Sequence, residues 1–208
     1  LPIIAGGTGF YIDALVGRIV LPNVPMNGAL RKRLEKMTAE QLFALLKKRD
    51  PRRAKEIDRR NKRRLVRALE IAAALGRVPN TASTRSRYDV LWIGIAPPLN
   101  KLKQKISMRL FARISRGMVA EARRLHARGL SYKKMESFGL EYRSLALFLQ
   151  KKITRKELEE KIVRDSFNYA KRQMTYWNRN REIKWFKPSQ IKNISKNVRS
   201  FAVGAKSR

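Results

Sequence analysis

Two short, continuously apolar runs, residues 1–5 (LPIIA) and 90–96 (VLWIGIA), lie far apart in the chain, and the sequence between them has the period of helices. Uninterrupted apolar runs of this length suit strands covered on both faces, and Pro97-Pro98 closes the second because proline cannot continue a ladder. Two strands of one sheet parted by helices predict an α/β fold, a parallel sheet interrupted by an all-helical insertion over residues 24–88. Leu1 stands first instead of Met and a strand-like run begins at once, so the chain is expected to continue upstream in a longer protein.

Where the insertion begins, residues 21–27 with Pro22 and Pro25 read as a loop. Residues 30–50 read as helical up to Asp50-Pro51, where proline disfavours continuation and Asp50 can cap the next helix. Leu65, Leu69, Ala72 and Leu75 then recur at helical spacing, with Arg63, Arg64 and Arg67 on the other surface and Gly76 as a stop. Residues 80–88 are polar, basic and aperiodic, as a mobile loop is.

Beyond the second strand the pattern predicts one long helix from Asn100 to about Arg128. Phe111, Ile114, Met118, Ala122 and Leu125 form its buried stripe, and Lys105, Arg109, Arg116 and Arg123 face away. Another helix begins near residues 138–143 (FGLEYR), and Thr154 with Glu157 makes a capping box for the next. In that helix Val163, Phe167, Ala170, Met174 and Trp177 form one stripe, and Arg164, Asn168, Lys171, Thr175 and Arg179 a polar, basic one. The lysine-rich tail from Lys187 is expected to fray, with residues 191–203 able to form one more short helix.

The charge narrows the partners. Lys and Arg number 49 against 16 Asp and Glu, a formal charge of +33, far more than solubility requires. Such a surface expects a polyanion, either a nucleic acid, bound with strong salt dependence, or an acidic membrane. No apolar run approaches the ~20 residues of a transmembrane helix, so the chain is expected to be cytoplasmic and not membrane-embedded. It has no cysteine and a single histidine, His126, so thiolate or histidine metal centres are excluded and no metal-ligating residues are assigned.

Two local features invite chemistry, and each leaves two readings open. Gly6-Gly7-Thr8-Gly9 between an apolar run and a helix start can expose backbone N–H groups to an anion, or can be an ordinary strand-to-helix connection. Tyr169, Tyr176 and Trp185, interleaved with positive charge, can stack unpaired bases, or can be core aromatics under a solvated basic face.

Five strings in series then line up with one family: LPIIAGGTGFY (1–11), RLVRALEI (64–71), the Pro97-Pro98 pair with its basic helix ending near Gly117, GLEYR (139–143) and AKRQMTYW (170–177). Together they resemble the tRNA dimethylallyltransferases (tRNA isopentenyltransferases) over residues 1 to about 186. The resemblance implies a P-loop-kinase-like fold, of which only the later strands lie here. The strand-turn-helix of residues 1–23 and residues 89–187 would form the catalytic core, followed by a basic tail, 188–208.

It also implies transfer of a dimethylallyl group from dimethylallyl diphosphate to the exocyclic N6 amine of the adenosine 3′-adjacent to the anticodon, by a monomer using Mg²⁺. Gly6 and Gly7 would let the backbone approach the diphosphate, Thr8 would contact an oxygen of it, and Arg109 would stabilise the departing charge. The tRNA anticodon stem-loop would meet Asn61, Lys62, Arg63 and Arg64, then Gly139, Tyr142 and Arg143, then Lys171, Arg172, Gln173, Thr175 and Trp177. Glutamine can read a base edge, whereas the cations position the backbone.

The chain departs from the family pattern at Phe111, where many relatives carry an acid, and at Phe167, where arginine or histidine is usual. The family's phosphate-binding loop, most of its magnesium ligands and its general-base aspartate belong upstream of the glycine turn, so the 208 residues alone are expected to be inactive. A non-catalytic RNA-binding module is the alternative, but it would not need a glycine-threonine turn after a strand. A small-molecule phosphotransferase of the same fold would not need +33 of charge.

Overall fold

A computed structural model describes residues 2–80 and 88–206. In chain order its elements are α1 (Gly9–Leu15), α2 (Gly28–Leu34), α3 (Ala39–Arg49), α4 (Pro51–Glu56), α5 (Lys62–Leu75), β1 (Ile93–Ile95), α6 (Leu99–Ser115), α7 (Met118–Ala127), α8 (Tyr132–Ser137), α9 (Leu140–Leu149), α10 (Arg155–Trp177), β2 (Lys184–Phe186) and α11 (Ile191–Lys206). The chain divides into two compact units, residues 10–90 and residues 1–9 with 91–208.

The first unit is helical, as its periodicity requires. Leu65, Leu69 and Ala72 of α5 are buried with Leu34, Leu42 and Leu46 of α2 and α3, whereas Leu75, the last residue of the expected stripe, is half exposed. Asp50 ends α3 and starts α4: its carboxylate accepts from the Arg53 amide at 2.9 Å and from the buried Val78 amide at 2.8 Å, joining the α3–α4 junction to the segment after α5. Glu70, also on α5, is buried although charged. It accepts from Arg31 at 2.9 and 3.0 Å, from the Asn27 amide at 2.7 Å and from Arg67. Burial would raise its carboxyl, but those donors outweigh burial and hold it at about 2. The loop expected at 80–88 falls largely outside the described residues.

In the second unit β1 pairs in parallel with β2, Gly94 opposite Trp185, and among the described residues this is the sheet. The fold is therefore mostly helical with a small parallel sheet, α/β in class. The strand expected at 1–5 is not formed over its described part: residues 2–6 are exposed and form no ladder, because no described strand runs beside them. An apolar run becomes a strand only when a neighbour takes its N–H and C=O groups.

The single helix expected over 100–128 is two. Gly117 adopts φ +94°, which a helix cannot pass through, and separates α6 from α7. On α6, Leu110 is buried and its neighbour Phe111 is half exposed. Leu110, Met118, Ala122, Met135, Leu145, Ala146, Leu158 and Ile162 make the core on which α6 to α10 pack. The capping box of Thr154 and Glu157 starts α10. The fraying expected of the tail does not hold for α11, which is helical over sixteen residues and follows a capped turn in which Gln190 Oε1 accepts from the Lys187 amide at 2.7 Å.

Candidate anion and nucleic-acid interface

The glycine turn and α10 lie in the same unit and meet. The C-terminal half of α10 carries residues at one-turn spacing, Tyr169, Gln173 and Tyr176-Trp177, and these pack along the turn. The hydroxyl of Tyr169 lies 3.3 Å from Oγ1 of Thr8. The Trp177 indole N–H donates to the Gly7 carbonyl at 3.1 Å. Both glycines are closely approached: a Cβ on Gly7 would lie 2.8 Å from Gln173 Oε1, the movable end of that side chain, and one on Gly9 would lie 2.1 Å from the Tyr176 ring. Trp92, before β1, packs its ring 5.6 Å from that of Trp177, which ties the turn, α10 and the sheet together.

This arrangement separates side chains that hold the site from those that face solvent. Trp177 is half-buried and its N–H is engaged on the turn, so it supports the site from behind. Gln173 is half-buried against Gly7, and Thr175 donates back into its own helix at Lys171 O, 3.1 Å. Lys171 and Arg172 are exposed. Lys171 Nζ lies 5.9 Å from the centre of the Phe167 ring, and the Arg172 guanidinium 5.8 Å from that of Tyr169. Tyr169, read in the sequence as a base-stacking candidate, thus touches Thr8 at its hydroxyl and Arg172 at its face. Trp92 carried no sequence signal for the site beyond its place in an apolar run.

The remaining candidates sit elsewhere. Arg109 is exposed on α6, next to buried Leu110, and carries no hydrogen bond or ion pair among the described residues. Gly139 is the N-cap of α9. Tyr142 donates to Glu121 Oε1 at 2.7 Å, a bond that raises its phenol above the ordinary value, while Arg143 is exposed. In the helical unit Asn61 caps α5, accepting from the Arg64 amide at 3.2 Å, and Lys62 donates to the Glu35 carbonyl at 2.7 Å. Arg63 and Arg64 point to solvent. Capping explains Asn61 without any RNA, so the cations beside it are the groups free to meet phosphate.

Magnesium needs hard oxygen ligands, commonly one or two carboxylates together with phosphate oxygens. No group of three or more His, Cys, Asp or Glu among the described residues is placed to hold a metal ion. At the turn, the side-chain oxygens placed by these contacts are those of Thr8, Tyr169 and Gln173, and none of them is a carboxylate. These residues do not form a magnesium site by themselves.

Residues 1–181 match the family described as IPP transferase. The chain belongs to that family. This IPP transferase chain is 36% identical over 180 residues to tRNA dimethylallyltransferase 1 of Syntrophus aciditrophicus (strain SB), covering 86% of the chain and 59% of the relative. It is 38% identical over 184 residues to tRNA dimethylallyltransferase 2 of Treponema denticola, covering 86% and 62%. The chain thus spans about three-fifths of the length of these curated relatives.

Among solved structures, the IPP transferase chain is similar to the full-length tRNA isopentenylpyrophosphate transferase of Bacillus halodurans, with a TM-score of 0.57 and 27% identity over 95% of this chain and 64% of that one. It also superposes, with a TM-score of 0.72 at 20% identity, on a eukaryotic dimethylallyltransferase described in snapshots acting on tRNA. That match covers 95% of this chain and 54% of the other, and it speaks for the fold alone. No helix among the described residues is long and apolar enough to cross a membrane.

Proposed function

We propose that this chain supplies the diphosphate-facing turn and the tRNA-binding surface of an enzyme that transfers a dimethylallyl group from dimethylallyl diphosphate to N6 of the adenosine 3′-adjacent to the anticodon. The observation that carries the proposal is the seating of Gly7 and Thr8 against Tyr169, Gln173 and Trp177. It puts a hydroxyl and a close-approach backbone beside Tyr169, whose ring the exposed Arg172 guanidinium approaches, so that one substrate's phosphates and the other's backbone can be held at adjoining places.

The chemistry asks for little beyond that. The amine lone pair forms a bond to C1 of the dimethylallyl group, the C1–O bond breaks, and its electron pair leaves with the diphosphate. The amine then gives up a proton. Donors aimed at the leaving oxygen lower the barrier because charge grows there in the transition state. Thr8 is assigned to that oxygen and Arg109 to the same charge. Gln173 is assigned to the base edge, which an amide can read with two hydrogen bonds, and Lys171, Arg172, Arg143, Arg63 and Arg64 to phosphates.

The parallel pairing of β1 with β2 supports a larger parallel sheet of P-loop-kinase type, of which these are later strands. On this reading the proton acceptor and the phosphate loop are expected to come from outside the 208 residues. The 208-residue chain by itself is therefore expected to bind substrates as a monomer without turnover.

The test is binding of the chain, and of a Lys171→Ala/Arg172→Ala/Gln173→Ala variant, to an anticodon stem-loop carrying adenosine or another base at the target position, across a salt series. The reading expects preference for adenosine, lost together with affinity in the variant. Equal binding to both RNAs, unaffected by the triple change, would leave only a generic basic surface and overturn it.

A further inference from the structure

Helix α11 lies wholly beyond residue 181, where the family match ends. From residue 183 to the end of the sequence there are seven Lys and Arg and no Asp or Glu. Folding into a helix sorts these residues. At 100° per residue Lys192, Lys196 and Arg199 fall on one face. All three are exposed, and none has a hydrogen bond or ion pair among the described residues. They span about 10 Å of helix axis.

The opposite face is already in use. Ile194, Val198, Phe201 and Ala202 are half-buried, and Asn197 Oδ1 accepts from Lys184 Nζ of β2 at 3.0 Å. That placement decides between the two polyanions a basic amphipathic helix can meet. A helix that lies on a bilayer inserts its apolar face into the acyl boundary, and here Ile194, Val198, Phe201 and Ala202 of that face are half-buried, which leaves Ile191 and Val203, each 67% exposed, as its outward apolar side chains. The cations are left outward without partners, as a surface for phosphates requires. The contrast with the first half of α10 sharpens the point: there Arg155 and Lys161 are each neutralised by an acid one turn on, Glu159 at 2.6 Å and Asp165 at 3.3 Å.

We propose that the outer face of α11, through Lys192, Lys196 and Arg199, is a second contact for the phosphate backbone of tRNA. It adds affinity without reading sequence. The inference rests on the tRNA reading above and extends it to a helix outside the family match. Backbone contacts of this kind release condensed counterions and are indifferent to bases.

The test uses the whole chain and unmodified tRNA, with a Lys192→Ala/Lys196→Ala/Arg199→Ala variant and a charge-keeping Lys192→Arg/Lys196→Arg/Arg199→Lys variant. The alanine variant should keep its circular dichroism and melting temperature. It should bind tRNA roughly tenfold more weakly at low salt, with a log–log salt slope shallower by about 2–3, and equally so for tRNA with adenosine or another base at the target position. The charge-keeping variant should bind as the parent does.

If the parent binds tRNA and the alanine variant matches its affinity and slope, the α11 assignment is wrong and the tRNA reading stands. If the parent binds no tRNA, both fall. Unchanged tRNA binding with lost adhesion to acidic phospholipid vesicles would reassign the face to a membrane surface.

Discussion

The hydroxyl of Thr8 lies 3.3 Å from that of Tyr169, a residue 161 positions later in the chain. The same phenol ring has the Arg172 guanidinium 5.8 Å from its centre. A residue assigned to the diphosphate and one assigned to RNA therefore share one tyrosine. Tyr169→Phe keeps the ring and removes the hydroxyl. A net hydrogen bond contributes about 1 kcal/mol, so the variant is expected to bind dimethylallyl diphosphate about fivefold more weakly while its affinity for tRNA is unchanged. Calorimetric titration with each ligand checks this; equal weakening of both would mean that the ring itself has moved.

Gly9 leaves no room for a side chain, because its Cβ would overlap the Tyr176 ring at 2.1 Å. The ring would have to move, and displacements of that kind in packed regions cost about 1–3 kcal/mol. Gly9→Ala should lower the melting temperature and disturb the turn. Gly28, with nothing within 4 Å of its Cβ and a place at the first position of α2, is the control. Gly28→Ala should be neutral or stabilising by about 0.5–1 kcal/mol, since alanine is the better helix former. Thermal melts of the two variants decide the matter, and equal effects would refute the close approach.

Glu70 should make the helical unit acid-sensitive. Its carboxyl is held at about 2 in the folded chain against an ordinary 4.5. A depressed folded pKa contributes stability that is fully present above about 4.5 and is lost as pH falls through about 2. Glu70→Gln removes that dependence and leaves Arg31 and Arg67 without their anion. Breaking a buried pair costs about 3–5 kcal/mol, and the lower end applies because both guanidiniums can reach water. Denaturant titrations of parent and variant at several pH values give the comparison: the variant should be less stable at neutral pH, and the gap should close in acid. A constant gap would place the destabilisation elsewhere.

Local rules carried much of the fold. Thr154 with Glu157, Asp50 before Pro51, and the Leu65, Leu69, Ala72 spacing each state a helix start or a buried face in terms of neighbours a few residues away, and each is present as read. The readings that changed depended on partners. Phe111 and Leu110 are both apolar and adjacent, and which of them is buried depends on the helices that pack against α6. The run at residues 1–5 has strand composition, but a ladder needs a second chain segment alongside, and composition does not supply one.

The candidate site divides in the same way. Sequence by itself determined the charge, the helical periods, the caps and the residue types available for phosphate and base, because these depend on identity and short spacing. Only the tertiary structure decided that Gly7 rests on Gln173, that Thr8 meets Tyr169, and that the Trp177 N–H donates to the Gly7 carbonyl. Those pairings join residues more than 160 positions apart. Nothing in the local pattern of either partner encodes the other; they are brought together because the packing of α10 with α6 and α9 leaves its C-terminal half to receive the glycine turn.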